Sequence, residues 1–153
     1  MVAYSFQSSF LPAIIERTKR QTIRLPRKRH ARPGEALQFL SGPRMRPTRV
    51  GSAICERACD VRLDFEGETV TIGDAIVLAT EEQLDAFAQS DGFSIIDGSA
   101  PARAGLRPWE YMRRWWAMTH PGHALFRGVL IGWGDSFQPE PPVFAVHFAR
   151  RVP

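Results

Sequence analysis

A lysine, a threonine and an arginine occur within six residues near the start of the chain, at Lys19, Thr22 and Arg24. The apolar pattern before them predicts a helix that ends near Arg17, and the residues after them predict a short strand. Side chains alternate between the two faces of a strand, so Thr22 and Arg24 are expected on one face. The segment therefore predicts an ammonium, a hydroxyl and a guanidinium around one opening. Such a set suits a phosphate or an acyl oxygen.

A run of basic residues follows this triplet, and it has two interpretations. Arg27, Lys28, Arg29 and Arg32 lie in a loop that ends at a predicted turn. Such runs are typical of solvated surface loops. A basic loop beside a cleft can also hold phosphates, with an affinity that falls steeply as salt is added. These four side chains and Arg20 are therefore predicted to join Lys19, Thr22 and Arg24 in binding a nucleic acid or a related ligand.

Positive charge is concentrated in the first third of the chain. Residues 1–49 contain eleven Lys or Arg and two acidic residues, whereas residues 50–153 contain nine Lys or Arg and fourteen acidic residues. The net charge of the whole chain is +4. A surface built from the first third would be positive, and polyanions such as RNA are its natural partners.

Three helices and several short strands must position these residues. Twelve prolines and twelve glycines divide the chain into short segments, a pattern typical of strands and turns. The predicted helices begin at Ser8 or Ser9 as the N-cap, at Thr80 and at Pro108. The predicted strands cover residues 3–6, 22–24, 36–40, 49–64 (as one long strand), 69–72, 75–78, 124–133 and 143–148.

The order of these elements favours the α+β class. Strands and helices do not alternate along the chain, which excludes a doubly wound α/β sheet. A mainly antiparallel β-barrel decorated by helices satisfies the order. At 153 residues the chain is expected to form one domain that spans residues 1–153.

Aromatic residues crowd the last predicted helix, and they also have two interpretations. Trp109, Tyr111, Trp115 and Trp116 can stack on nucleic-acid bases. Their spacing fits a buried helix face equally well, and core packing is favoured because large aromatic side chains are mostly buried. The adjacent Trp115 and Trp116 cannot both point inward, so one of them is expected to be partly exposed.

The sequence predicts neither a metal nor a cofactor. The Cys55–Cys59 and His120–His123 pairs lack the spacing of a structural zinc site. The glycine-rich fingerprints of nucleotide-driven and dehydrogenase chemistry are missing from the sequence. An apolar run of the ~20 residues that cross a bilayer is missing too, as is a secretory signal, so a cytoplasmic location without membrane attachment is expected.

In the order of its motifs the chain resembles the ASCH domain family, a branch of the PUA-like superfold. Lys19 to Arg24 match the Lys-x-x-Thr-x-Arg segment of that family, and Gly34-Glu35 match its Gly-Asp turn with Glu in place of Asp. The later segments that match the family order are Asp91-Gly92-Phe93, Trp109-Glu110-Tyr111, Phe126 to Val129 and Val143 to Phe148. The resemblance spans most of the chain. It implies a PUA-like barrel of about six strands with about three helices, and recognition of RNA or a nucleoside.

Some small members of the family resemble amidohydrolases that remove the acetyl group from N4-acetylcytidine. There the lysine activates the threonine as nucleophile, and a glutamate acts as general acid and base. Lys19 and Thr22 match the first two roles, and Asp91, one methylene shorter than glutamate, falls near the third position.

Three functions are therefore predicted, in descending order. In the first, a binding module holds RNA or a modified nucleotide. Lys19, Arg24 and the basic loop contact phosphate, and Thr22 with Asp91 contacts a base edge or sugar. The second is the amidohydrolase with Lys19, Thr22 and Asp91 as catalytic residues. The third is a ribonuclease in which the basic cleft stabilises the transition state.

Overall fold

A computed structural model describes residues 1–94 and 105–141 of the chain. The strands within these ranges are β1 (Val2–Phe6), β2 (Gln21–Arg24), β3 (Ala36–Ser41), β4 (Thr48–Ile54), β5 (Arg57–Asp64), β6 (Thr69–Ile72), β7 (Ile76–Leu78), β8 (Leu125–Gly132) and β9 (Gln138–Pro139). The helices are α1 (Leu11–Ile15), α2 (Glu81–Ser90) and α3 (Pro108–Thr119), and a 3-10 turn (Ser8–Phe10) leads into α1. The strand predicted over 143–148 and most of the loop predicted over 97–105 lie outside the described residues.

The described strands form two sheets, with the orders β1-β3-β4-β9 and β2-β8-β5-β6-β7. Strands β1 and β3 pair in parallel, with Val2 opposite Leu37, and the other recorded pairs are antiparallel. The α+β class is therefore confirmed. Within these ranges no closed barrel is formed, and the PUA-like barrel remains a prediction.

The single strand predicted over residues 49–64 is wrong. Strand β4 ends at Ile54 in the first sheet, and β5 begins at Arg57 in the second. Between them the backbone N–H of Cys55 donates to Glu35 O, and that of Glu56 donates to Gly132 O. The chain thus exchanges one sheet for the other at these two residues. In the sequence, apolar residues stand at alternate positions on both sides of the exchange, at Ala53 and Cys55 and again at Cys59, Val61 and Leu63, so the pattern does not reveal it.

The predicted helix starts are right for α2 and α3 and only partly right for the first helix. Thr80 caps α2 through a capping box with Gln83, as predicted. Ser8 and Ser9 form the 3-10 turn instead, and α1 has no side-chain cap. Pro12 lies in the first turn of α1, where its missing N–H is not needed.

Buried apolar side chains form two clusters, and β8 contributes to both. Leu130 and Phe126 pack in the cluster between the second sheet and helices α2 and α3, and Ile131 packs in the cluster over the first sheet. The prediction for the tryptophans is confirmed, because Trp116 is buried and Trp115 is half-buried. The second half of β8 is therefore buried on both faces and links the two halves of the core. In the described ranges no helix is long and apolar enough to cross a membrane.

Candidate ligand-binding cavity

A cavity of about 250 Å³ lies where β1, β2, the end of α2 and the end of α3 meet. Its charged or hydrogen-bonding side chains include Lys19, Thr22, Arg24 and Asp91. Its aromatic wall consists of Phe6, Phe10, Phe93, Trp115, Trp116 and Phe126, with the imidazole of His120 beside it. The three predicted catalytic residues thus line one cavity, although Lys19 and Asp91 are 72 residues apart in the chain.

The turn that ends α2 brings Asp91 and Phe93 to the cavity. The backbone N–H of Gly92 donates to Gln89 O and that of Phe93 donates to Ala88 O, the two hydrogen bonds of a Schellman motif. Gly92 has a φ of 100°, a backbone conformation that strongly favours glycine. The chain reverses at this glycine, so the side chains on either side of it both line the cavity.

Lys19 is buried, and its ammonium is held at the end of α2. The Nζ atom donates to the backbone oxygen of Asp91 at 2.5 Å and lies 3.9 Å from Asp91 Oδ1. It also lies 4.9 Å from the centroid of the Phe10 ring. The carbonyl end of a helix carries partial negative charge, which favours a cation there. Gly92 leaves room for this side chain, because a Cβ at that position would lie 2.9 Å from Lys19 Cδ.

Burial moves the pKa values of this pair toward neutrality. It lowers the pKa of Lys19 to about 8, although the Asp91 carboxylate partly opposes the shift. It raises the pKa of Asp91 to about 6, against the opposing charges of Lys19 and Arg24 and a hydrogen bond from Gln21. Desolvation penalises both charged forms more than their mutual attraction stabilises them. Groups with such pKa values can exchange protons with a ligand near neutral pH.

One carboxylate oxygen of Asp91 lacks a hydrogen-bond partner. Within the described part of the chain, Asp91 Oδ1 is buried and has no hydrogen-bond partner. The same holds for the indole N–H of Trp116, which also lines the cavity. Buried polar atoms without partners cost about 1–3 kcal/mol each. A polar ligand that hydrogen-bonds to this acceptor and this donor would therefore remove the cost of leaving them without partners.

Thr22 and Arg24 share one face of β2, as their spacing predicts. Arg24 Nε donates to Thr22 Oγ1 at 3.1 Å, and Arg24 Nη2 donates to the backbone oxygen of Ser5 at 2.7 Å. The guanidinium also lies 4.8 Å from the centroid of the Phe6 ring. These contacts fix the orientation of the guanidinium beside the threonine hydroxyl, inside the cavity.

The basic loop does not line the cavity. Arg27, Lys28, Arg29 and Arg32 are all exposed, and Arg29 forms an ion pair with Glu35. The guanidinium carbon of Arg27 lies 4.7 Å from the centroid of the Tyr4 ring on β1, which the cavity residue Arg24 also contacts. A role of this loop in binding RNA remains a prediction.

Arg20 does not belong to the cavity either. Its side chain forms an exposed ion pair with Asp135 at 2.9 Å and donates to the backbone oxygen of Arg17. It precedes β2, and its side chain is exposed while those of its neighbours Lys19 and Gln21 are buried. A ligand contact by Arg20, predicted from its place next to Lys19 in the sequence, therefore remains a prediction.

Sequence reasoning missed part of the cavity wall. Phe6 lies in the strand predicted over residues 3–6, and Phe10 lies in the apolar pattern that predicts the first helix, yet both rings contact the Lys19 ammonium. His120 was considered only as a metal ligand, but it stacks on Trp116 with ring centroids 4.3 Å apart. The available signal was the density of aromatic residues on both sides of the Lys-Thr-Arg segment. A sequence pattern does not show which of them face the same cavity.

Metal-binding side chains do not gather in the described ranges, where no group of three or more His, Cys, Asp or Glu could hold an ion. Cys55 and Cys59 are free thiols.

In comparisons with known proteins, the chain matches no protein-family model, no curated protein and no solved structure. The function must therefore be argued from the cavity itself.

Proposed function

We propose that this chain is an ASCH-type, PUA-like domain that binds RNA or a nucleoside through the cavity at the end of α2. The observation that carries the proposal is the combination of four polar side chains (Lys19, Thr22, Arg24 and Asp91) with an aromatic wall in one cavity. Bases stack on aromatic side chains, at about 1–3 kcal/mol for each base. The family assignment rests on the order of the sequence motifs, and the shared cavity of the motif residues supports it.

The size and polarity of the cavity favour one base or nucleoside as the bound unit. Its volume of about 250 Å³ is slightly below that of the pockets that hold drug-sized molecules, roughly 300–1,000 Å³. Asp91 Oδ1, which has no hydrogen-bond partner among the described residues, can accept a hydrogen bond from an amino or imino group of a base. The indole N–H of Trp116 can donate to a carbonyl or ring-nitrogen acceptor. A base edge presents both kinds of group.

Binding of the four ribonucleosides and of short single-stranded RNA tests the proposal. Trp115 and Trp116 line the cavity, so their fluorescence should report occupancy. We expect Asp91→Asn to weaken binding about tenfold or more, because a charged hydrogen bond to the base edge is lost. Asp60→Asn makes the same chemical change at an exposed site on β5 and should have no effect.

The absence of saturable binding to the wild-type protein at millimolar concentrations would refute the proposal. Equal affinities of wild type and Asp91→Asn would place the ligand elsewhere. Recovery of intact RNA from the same assay would contradict the ribonuclease hypothesis.

A second function, the amidohydrolase, is favoured by the pKa values of the buried pair. A lysine with a pKa of about 8 is partly neutral near pH 7–8, and a carboxyl with a pKa of about 6 is partly protonated near pH 6. In this mechanism Thr22 Oγ1 attacks the acetyl carbonyl while its proton passes to the neutral amine of Lys19. The protonated Asp91 then donates its proton to the departing amine. Water hydrolyses the acetyl-threonine ester and releases acetate.

Acetate release from N4-acetylcytidine separates this function from simple binding. We expect Thr22→Ala to abolish release, because the nucleophile is removed, and Thr22→Ser to retain part of it. Release that continues in Thr22→Ala would exclude the nucleophilic role. Wild-type protein that binds the nucleoside without turnover would leave the binding function alone.

A further inference from the structure

Two arginines beside the cavity, Arg24 and Arg27, form no ion pair in the described part of the chain. Seven ion pairs are recorded in the described ranges, and they engage Arg20, Arg29, Arg49, Arg107, Arg113 and Lys19. Arg24 and Arg27 take part in none of these pairs. Both guanidinium groups lie over the ring of Tyr4, with their central carbons 5.4 Å and 4.7 Å from its centroid. The ring of Tyr4 on β1 thus contacts two cations that are not ion-paired within the described ranges.

The contacts of both guanidinium groups leave terminal N–H groups free. Arg24 donates from Nε to Thr22 and from Nη2 to Ser5, and Arg27 donates from Nε to the backbone oxygen of Arg29. A guanidinium has five N–H donors. Each arginine therefore keeps donors in a fixed orientation, the arrangement that suits bidentate binding of an oxyanion.

A hydrogen-bond network holds Tyr4 and the start of the basic loop in place. His30 Nε2 lies 2.9 Å from the backbone oxygen of Leu25, which can only accept, so this nitrogen carries the proton. His30 Nδ1 is then the acceptor for the Tyr4 hydroxyl at 3.0 Å, and that hydroxyl accepts the N–H of Ala31. Tyr4 is consequently held by His30 and Ala31, which follow Arg27 in the chain, and His30 in turn contacts Leu25, which precedes it.

The charges at this place match those of a phosphate monoester. The charges of Lys19 and Asp91 offset each other when both are ionised, which leaves those of Arg24 and Arg27. A phosphate monoester carries a charge of about −1.5 to −2 near pH 7, whereas a phosphodiester carries one negative charge. Burial and, to a smaller degree, the charge of Arg27 lower the pKa of Arg24, while Asp91 and Tyr4 raise it. An anion between the two guanidinium groups would relieve their mutual repulsion.

We propose that Arg24, Arg27 and the ring of Tyr4 form a phosphate subsite at the rim of the cavity, specific for a terminal phosphate monoester. The inference rests on the proposed function, because the subsite would select phosphorylated nucleotides, or RNA ends with a terminal phosphate, over free nucleosides. It also gives the basic residues different roles. Lys19 lies in the interior of the cavity, and among the residues of the basic loop only Arg27 contacts the ligand.

The ratio of two affinities tests the subsite. Dissociation constants are measured by tryptophan fluorescence for each ribonucleoside and for its 3′- and 5′-monophosphates. We expect a monophosphate to bind the wild-type protein at least about tenfold more tightly than its nucleoside. Arg27→Ala should remove most of that preference. Arg62→Ala removes the same charge from an exposed position on β5 and should retain it.

Inorganic phosphate gives a test that does not depend on nucleoside binding. Titration at millimolar concentrations should shift the Nε–H signals of Arg24 and Arg27 in nuclear magnetic resonance spectra, and Arg27→Ala should weaken the response of Arg24. Phosphate binding without nucleoside binding would retain the subsite and refute the proposed function.

Nucleoside binding with no gain from phosphate in the wild-type protein would overturn the subsite and leave the proposed function intact. An equal loss of preference in Arg27→Ala and Arg62→Ala would also overturn it, because general charge would then explain the effect. A hexanucleotide with and without a 5′-phosphate, compared in the same assay, distinguishes an RNA end from a free nucleotide as the source of the phosphate.

Discussion

At the scale of single residues, the buried Lys19–Asp91 pair dominates the chemistry of the cavity. Both side chains are almost inaccessible to water, and their charged atoms lie 3.9 Å apart. Removing two charges from water costs more than their attraction returns unless the geometry and further hydrogen bonds are excellent. One oxygen of Asp91 lacks such a bond. The pair is therefore expected to lower the free energy of unfolding of the ligand-free protein. A ligand that hydrogen-bonds to Asp91 is expected to reduce this cost.

The pKa values predict an unusual dependence of stability on pH. The pKa of Asp91 is raised from 3.8 to about 6, so the folded protein binds more protons than the unfolded chain between these values, and stability falls as pH rises through them. The pKa of Lys19 is lowered from 10.5 to about 8, so the unfolded chain binds more protons above pH 8, and stability rises there. The contribution of the pair to the free energy of unfolding should therefore be lowest between pH 6 and 8.

Urea unfolding of the wild-type protein and of the double variant Lys19→Met/Asp91→Asn checks this prediction. The wild-type free energy of unfolding, minus that of the variant, should be about 1 kcal/mol higher at pH 5 and at pH 9 than at pH 7. The variant serves as the control for all other titrating groups. A difference that is largest at pH 7 would mean that attraction outweighs desolvation in this pair.

A second prediction at this scale concerns the loss of one partner. Lys19→Met leaves the Asp91 carboxylate buried without its cation, which should reduce the free energy of unfolding at pH 7 by about 3–5 kcal/mol. The pKa of Asp91 should rise above about 6, because Lys19 is the larger of the charges that lower it. Carbon-13 spectra of the aspartate carboxyl groups measure this pKa. An unchanged value would show that the two groups do not interact.

At the scale of elements, the end of α2 positions the pair. The Schellman motif aims the Asp91 carbonyl at the Lys19 ammonium, and Gly92 provides both the positive φ and the space for the lysine methylenes. A Cβ on Gly92 would lie 2.9 Å from Lys19 Cδ and 3.0 Å from Phe10 Cδ1. Gly92 therefore both ends α2 and leaves space for a side chain that lines the cavity.

Gly92→Ala should therefore cost more than backbone strain alone. We expect a loss of roughly 2–4 kcal/mol in the free energy of unfolding, from the strained backbone together with the displacement of Lys19 and Phe10. Gly73→Ala is the matched control, because Gly73 has a φ of 60° and open space around it, so only about 1–2 kcal/mol of strain is expected. Thermal unfolding of both variants measures the difference. Equal losses would mean that the lysine side chain adjusts freely.

At the scale of the whole molecule, β8 joins the two halves of the core. Leu130 packs under α2 and α3, whereas Ile131 packs against the first sheet, and neither side chain is exposed. The first sheet supplies Ser5 and Phe6 to the cavity, and the other half supplies Asp91, Phe93 and the tryptophans. The cavity therefore depends on both halves being folded together.

Ile131→Ala should lower the free energy of unfolding by about 2–5 kcal/mol through the cavity that it leaves. The signal of the aromatic wall in near-ultraviolet circular dichroism and the far-ultraviolet signal should still be lost in one transition. Val77→Ala, at an exposed position on β7, should change stability by less than about 0.5 kcal/mol. Separate transitions in the two signals would show that the halves unfold independently.

Local signals in the sequence predicted much of the fold. The capping box at Thr80, the proline at the start of α3 and the alternation in β3 and β6 agree with the structure because each depends on neighbours in the chain. The exchange of sheets at Cys55 and Glu56 was missed. A pattern of apolar residues at alternate positions shows only that these side chains face a buried cluster. This chain has two such clusters, and a strand that packs on either of them has the same pattern.

By itself the sequence determined which residue types stand close together along the chain: a lysine, a threonine and an arginine near a helix end, and an aspartate before a Gly-Phe pair. It also determined the excess of positive charge in the first third. Only the tertiary structure decided that Lys19 is buried against Asp91, that Arg20 turns away to Asp135, and that Arg24 and Arg27 share the ring of Tyr4. The physical reason is that desolvation and charge pairing depend on distances between residues remote in the chain, which composition and spacing do not contain.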